Sequence, residues 1–308
     1  MKICFIAPGE IEIPPKNWGA LENVVWSLSQ ELEKLGHEML ITNEIDINDT
    51  HEKIKKFNPD VLHLHYGKHW ELMPQFNCKK IATSYDGSFE VSNQFHEFIT
   101  RKYLYDCSFF CLREFEKDFF LNIGISPSKT KIIPLGTNPD SFKINLSNPS
   151  KKDRSVYLGK IDDRKRQFCF QKKGIPIDFV GPNASPKFDP LDESYLGVWT
   201  EKEKFENLTE YGNLVLLSVS ENGNPPLVCL EAMCAGLGIV VSEASNEGID
   251  LNRKFISVIP EDKINDLQFL KEQIDSNREY SIKNRSEIIE YGHQRSWLNV
   301  AKIYEKLL

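Results

Sequence analysis

The chain has 308 residues, with 38 Lys and Arg against 45 Asp and Glu, a formal charge of −7, and 40% apolar residues. Single cores stop growing at roughly 250 to 300 residues, so two domains are expected, and the composition excludes disordered, collagenous and fibrous classes. The net acidity excludes a dedicated nucleic-acid binder, which needs a concentrated basic stripe for phosphates.

Residues 2–7 (KICFIA) open the chain as a strand. The run is short, broken by Pro8 and Glu10, and followed by no small-residue cleavage site, so it does not read as a signal peptide. No window reaches the roughly 18 apolar residues that a membrane span requires. Seven cysteines without a Cys-x-x-Cys pair read as reduced, buried thiols. A soluble, cytoplasmic protein is therefore expected. Its scattered lysines (Lys53, Lys55, Lys56, Lys79, Lys80) allow at most weak peripheral membrane contact.

Leu21, Val24, Val25, Leu28, Leu32 and Leu35 form one helical stripe that stops at Gly36. Strands are predicted at 38–42, 60–65, 80–85, 107–112 and 131–133, with a helix over 113–122 closed by Gly124. Residues 145–153 are polar, contain Pro149 and read as a linker, which divides the chain into 1–150 and 151–292. The alternation then restarts. Strands are expected at 156–159, 177–181, 195–199, 214–219 and 238–242, with a basic helix from 163, a helix over 201–211 and another after Pro226. The amphipathic pattern that ends the chain (293–308) reads as a helix docking back on the first domain. The result is an α/β protein of two Rossmann-like halves, each a parallel sheet with crossover helices. No repeat of 20–50 residues is present.

Ligands of such sheets bind beyond the carboxyl ends of the strands, so useful residues should follow strands. Three places qualify. The loop after the first strand brings Gly19 and Ala20 to the start of a helix, where small residues and free N–H groups suit an anion; a capped surface loop has the same pattern. Gly159 is followed by four cations between residues 160 and 166, among them Lys160 and Lys165, able to neutralise a diphosphate, although a solvated basic helix face gives the same run. The segment 220–233 is the most specific: a strand end with Glu221, a turn, Pro226 at a helix start, the Leu227 and Val228 amides, and Glu231 one turn on, placed to accept from a ribose diol.

These residues carry a resemblance. The chain resembles the family 4 retaining glycosyltransferases of the GT-B fold, through KICFIAPGEIEIPPKNWGALENVVWSLSQELEKLGHE, NPDVLHLH, KIIPLGTNPDSF, YLGKIDDRK and LEAMCAGLGIVVSE. The resemblance implies two facing Rossmann-like domains, with acceptor in the first and donor in a shortened second. It implies a donor-phosphate contact at Gly19-Ala20, diphosphate contacts from Lys160 and Lys165, and a ribose contact from Glu231. The departures are specific. The family's spacing places its first glutamate on Gly223, whereas the nearest one here is Glu221, ten positions before Glu231. The family's catalytic-site histidine is replaced by Tyr85, followed by Asp86, which leaves Asp86 or His65 beside the acceptor hydroxyl. Lysine at 160 gives up the planar fork of arginine.

His63 and His65 alternate on one strand face and His69 follows; without another ligand at the right spacing they read as cleft-wall residues and not as a metal set. No Asp-x-Asp pair occurs. The expected function is metal-independent, cofactor-free transfer of a hexose from a UDP- or GDP-sugar to a hydroxyl of a glycan acceptor. The alternatives are a nucleotide-sugar-binding protein without transfer activity and a sugar 2-epimerase of the same architecture.

Overall fold

The computed structural model describes residues 1–16, 19–83, 106–221 and 225–308. The chain divides into two units, Met1–Leu135 with Trp297–Leu308, and Gly136–Ser296. The division falls earlier than residues 145–153, because that polar segment is docked on the second unit. Asn145 bonds Thr209 and Glu210, Ser150 N donates to Glu210 at 2.6 Å, and Phe142 packs edge-on against Phe205 at 5.0 Å. Residues 293–296 also stay with the second unit, where Thr137 N donates to Arg295 O.

The first unit holds β1 (Lys2–Ile6), α1 (Ala20–Lys34), β2 (Glu38–Thr42), α2 (Ile47–Phe57), β3 (Val61–His65), β4 (Lys79–Thr83), β5 (Cys107–Cys111), α3 (Glu114–Asn122) and β6 (Thr130–Ile132). Its six described strands are parallel in the order β2-β1-β3-β4-β5-β6. Central strands are buried on both faces, as the apolar run from Ile3 to Ile6 in β1 requires. α1 buries Val24, Val25, Leu28 and Leu32, the stripe visible in the sequence. The chain's last helix, α9 (Trp297–Leu307), returns to this unit, placing Tyr304 against Phe5, His63 and Phe110.

The second unit holds β7 (Lys151–Leu158), α4 (Gln167–Phe170), β8 (Ile177–Val180), α5 (Glu201–Asn207), β9 (Tyr211–Leu216), α6 (Leu227–Cys234), β10 (Gly238–Ser242), β11 (Ile256–Ile259), α7 (Leu267–Lys283) and α8 (Arg285–His293). Five parallel strands run β11-β10-β9-β7-β8. In both units the strand order reverses beside the first strand, between β1 and β3 and between β7 and β9. Those are the switch points where open α/β sheets bind ligands.

Two expected elements are absent. Residues 195–199 do not form a strand: Tyr195 makes a single bridge to Phe179 and Gly197 sits at φ 75°. The basic segment from 163 is a loop, since the Asp162 carboxylate accepts from Lys165 N at 2.9 Å and Arg166 is left-handed at φ 58°, so α4 starts only at Gln167. All seven cysteines are free. No described helix is long and apolar enough to cross a membrane.

Candidate active site

At the switch point of the second unit, two strand ends are bolted together. β7 ends at Leu158 and turns through Gly159 (φ 153°), where an added Cβ would meet the Lys165 side chain at 3.4 Å. The positive φ is what favours glycine there, and the Lys165 side chain lies back across the strand end in ordinary contact with it. Its ammonium reaches Glu221 Oε1, beyond β9, at 2.6 Å, and both side chains are about nine-tenths buried. Ser218 Oγ donates to the same oxygen at 2.5 Å, and Arg164 stands 3.4 Å from Oε2. The frame beneath is rigid. The buried Tyr157 hydroxyl donates to Lys165 O at 2.5 Å and accepts from Leu217 N at 2.9 Å. Val219 N donates to Arg164 O, and Arg166 donates to Ser218 O at 2.9 Å while pairing with Glu261.

The four cations thus have different fates. Lys165 is buried and paired, Arg164 and Arg166 tie the loops together, and Lys160 is exposed at the strand end. The two lysines expected at the diphosphate therefore differ, one a fixed ammonium and the other a solvated one. Gln167 Nε2 donates to Lys160 O at 2.9 Å, so the residue's backbone is held although its side chain is not buried.

Pro226 is the N-cap of α6 and Leu227 its first helical residue, so the proline sits one position before its usual place. The Leu227 and Val228 amides open the first turn and have no acceptor within the helix, whereas those of Cys229 and Leu230 donate to Pro226 O. On the next turn Glu231 is four-fifths buried and pairs with Lys204 of α5, Nζ to Oε1 2.5 Å. Sequence reading missed Lys204 and Glu261, since each lies far along the chain from its partner. Residues 222–224, which include Gly223 and decide how the turn after Glu221 is spaced, lie outside the described residues, as do Tyr85 and Asp86.

In the first unit, Gly19 is the N-cap of α1, and a Cβ there would meet Glu22 Oε2 at 2.8 Å. The start of α1 at Gly19 and Ala20 is therefore already faced by a carboxylate of the chain itself. Burial raises the pKa of Glu22, with a contribution from Glu10. Across the switch point, Lys68 Nζ donates to Pro8 O at 2.7 Å, tying the ends of β3 and β1.

His65 is not a wall residue. It is 1% exposed, its ring 3.9 Å from that of His63 and 4.5 Å from Phe5. His63 lies between the Tyr304 hydroxyl at 3.0 Å and Thr83 Oγ1 at 2.9 Å. Burial pushes the pKa of His65 down to about 3, and burial together with His65 lowers that of His63, so both rings are neutral. His69 turns elsewhere, to Glu44 O at 2.9 Å. These three histidines do not converge.

No protein-family model matches the chain, and no curated protein sequence matches it. Solved structures do. A sucrose-phosphate synthase from Thermosynechococcus elongatus superposes with a TM-score of 0.74 at 15% identity, covering 99% of this chain and 98% of that one. HepE of Anabaena, in complex with UDP-glucose, gives 0.73 at 12% identity over 100% and 99%. The chain has the GT-B fold. The lipopolysaccharide outer core galactosyltransferase WaaB, at 0.65 and 13% over 100% and 99%, extends the same likeness. Within that fold, the Lys165–Glu221 pair and the first turn of α6 stand at strand ends of the second Rossmann-like unit.

Proposed function

We propose that the protein is a retaining glycosyltransferase of the family 4 type that moves a hexose from a UDP- or GDP-sugar to a hydroxyl of a glycan. The observation that carries this reading is the Lys165–Glu221 pair at the β7/β9 switch point, a cation and a carboxylate fixed where the fold binds ligands. The likeness to glycosyltransferases, one of them bound to UDP-glucose, supports it.

In this reading the second unit binds the donor. Lys165, Lys160 and the Leu227 and Val228 amides meet the charge that develops on the diphosphate as the bond to C1 breaks. These cations and amides do the work without metal or cofactor. Glu231 accepts from the ribose, and Glu221 meets the donor sugar after Lys165 turns to phosphate. The acceptor oxygen bonds C1 from the side the diphosphate leaves, and the hydroxyl proton passes to the departing phosphate oxygen. Asp86 is the residue proposed beside that hydroxyl. The site is assigned to a cytoplasmic enzyme.

The test is incubation with a panel of UDP- and GDP-hexoses and glycan acceptors in the presence of a chelator. Release of nucleoside diphosphate with a product of unchanged anomeric configuration is expected. Tight nucleotide-sugar binding without turnover for every donor and acceptor would instead favour a binding protein.

A further inference from the structure

A cavity of about 380 Å³ opens on the first unit beside its edge strand, between α1 and β2. Trp26, Gln30 and Glu33 descend one face of α1 at spacings of four and three residues, so all three reach the same wall. Met39 and Ile41 alternate on β2 and form the apolar side opposite. Asn43 closes the end. Its amide accepts from Gly9 N at 2.8 Å and donates to Ile11 O at 2.7 Å, which fixes the first loop as a lip.

The lining has a definite chemistry. Trp26 is half-buried, and its indole makes no hydrogen bond or ring contact among the described residues. The Glu33 carboxylate is exposed and makes no ion pair among the described residues, while Glu44, also on the rim, is neutralised by Lys53. An ionised carboxylate only accepts, so its ligand must bring O–H or N–H donors, and its charge repels phosphate and uronate. An indole face offers large apolar contact at low entropy cost. One apolar ring face with a polar rim of amide and carboxylate matches a pyranose, whose C–H groups share a face and whose hydroxyls ring the edge. The volume falls in the range of small-molecule sites, roughly 300–1,000 Å³.

We propose that this cavity is a subsite for an uncharged pyranose of the glycan acceptor. Its role as acceptor subsite rests on the glycosyltransferase reading; sugar capture by the cavity does not.

The experiment is saturation-transfer NMR on the full chain with the methyl glycosides of glucose, galactose, mannose and N-acetylglucosamine. Glucuronic acid and inorganic phosphate serve as charged counterparts, and UDP and GDP are titrated in parallel. At least one neutral glycoside should bind. Trp26→Ala should weaken it about tenfold, the equivalent of about 1.4 kcal/mol. Gln30→Trp keeps the indole but fills the cavity, and should abolish the signal even if Trp26→Ala fails to fold. Glu33→Gln should weaken binding less than either. UDP or GDP binding should not change in any variant. The proposal is overturned if no neutral glycoside binds, if binding survives Gln30→Trp, or if glucuronic acid binds as well as glucose. Absence of UDP and GDP binding in the wild type would count against the glycosyltransferase reading and leave the sugar result to stand by itself.

Discussion

The two switch points share a topology and differ in chemistry. In the first unit a lysine from the loop after β3, Lys68, ends on a backbone carbonyl, Pro8 O, and the titratable side chains of β3 itself are folded into the core. In the second, a lysine from the loop after β7 ends on a carboxylate from the loop after β9, within a frame of buried hydrogen bonds. A carbonyl takes one of an ammonium's three N–H groups and brings no charge of its own. A carboxylate–ammonium pair at a strand end is two groups that a ligand can separate and use. The difference says that repeating a fold places the strand ends, while the residues just past them set which groups stand there.

The largest expected effect breaks that contrast directly. Under the proposed function, Lys165→Met removes the fixed cation of the leaving group and should lower kcat by about 10²-fold or more. Lys68→Met removes one ordinary hydrogen bond and should cost about 1 kcal/mol of stability with little change in turnover. Steady-state kinetics and urea unfolding of both variants give the comparison. Equal losses of kcat would place catalytic charge in the first unit and end the distinction.

Acid should separate the units next. The pKa values of His63 and His65 are lowered in the folded chain, His65 to about 3 from 6.5, so below 6.5 the unfolded chain binds the protons the folded one refuses. Stability is then present above 6.5 and lost as pH falls, at about 1.4 kcal/mol per pH unit for each histidine. In the second unit Asp178 is buried, which opposes ionisation, yet bonds from Arg154, Tyr211 and Lys151 hold its carboxyl below the usual range. Its contribution is intact above the ordinary value of 3.8 and is lost only as pH falls below that through the depressed one. Hydrogen exchange at pH 5 should therefore find β3 and α9 weakened before β7 and β9, and His65→Leu should flatten the slope by about one proton. Simultaneous loss of protection in both units would show that the buried histidines do not set the acid limit.

Much of this was legible where apolar residues carry the period. α1 and β2 stand where the sequence puts them, because Val24, Val25, Leu28 and Leu32 make one stripe and EMLIT is closed off by glycine and polar residues. α2, α7 and α8 were not legible. α2 buries only Thr50 and Ile54, and α7 and α8 turn Asn277, Ser281 and Arg285 inward, so polar side chains occupy the positions that a hydrophobic pattern looks for. Arg285 donates through its two terminal nitrogens to the carbonyls of Thr209 and Tyr211, contacts set by tertiary structure alone. The site divides the same way. Glu221, Glu231 and Lys165 were visible as residue types after strands, but their pairing with one another and with Lys204 was not. His65 has the same alternation on a strand whether it lines a cleft or a core, and only α9 folding back over β3 decides.

Lys204 gives a smaller test within the second unit. If its pairing with Glu231 aims that carboxylate at a ribose, Lys204→Met should weaken UDP or GDP binding about tenfold, the equivalent of about 1.4 kcal/mol, and erase the preference over the 2′-deoxy nucleotide. Calorimetry on both nucleotides checks it. A loss of affinity that left the preference intact would make Lys204 a mere charge contact and not a positioning residue.

The smallest effect returns to the first unit. Burial, with Glu10, raises the pKa of Glu22. For an acid this sign means that the folded chain holds its proton to a higher pH than the unfolded one, so stability is lost as pH rises through the interval between the ordinary and raised values, and the full penalty applies above it. Glu22→Gln keeps the shape of the side chain at the N-terminus of α1 and removes the charge, so Tm should rise at neutral pH. The gain should vanish near pH 3, where the native carboxyl is protonated in both states, as thermal melts at the two conditions will read. A gain of equal size at both would mean that packing and not charge is relieved, and the carboxylate facing Gly19 would then be no obstacle to an anion at that helix end.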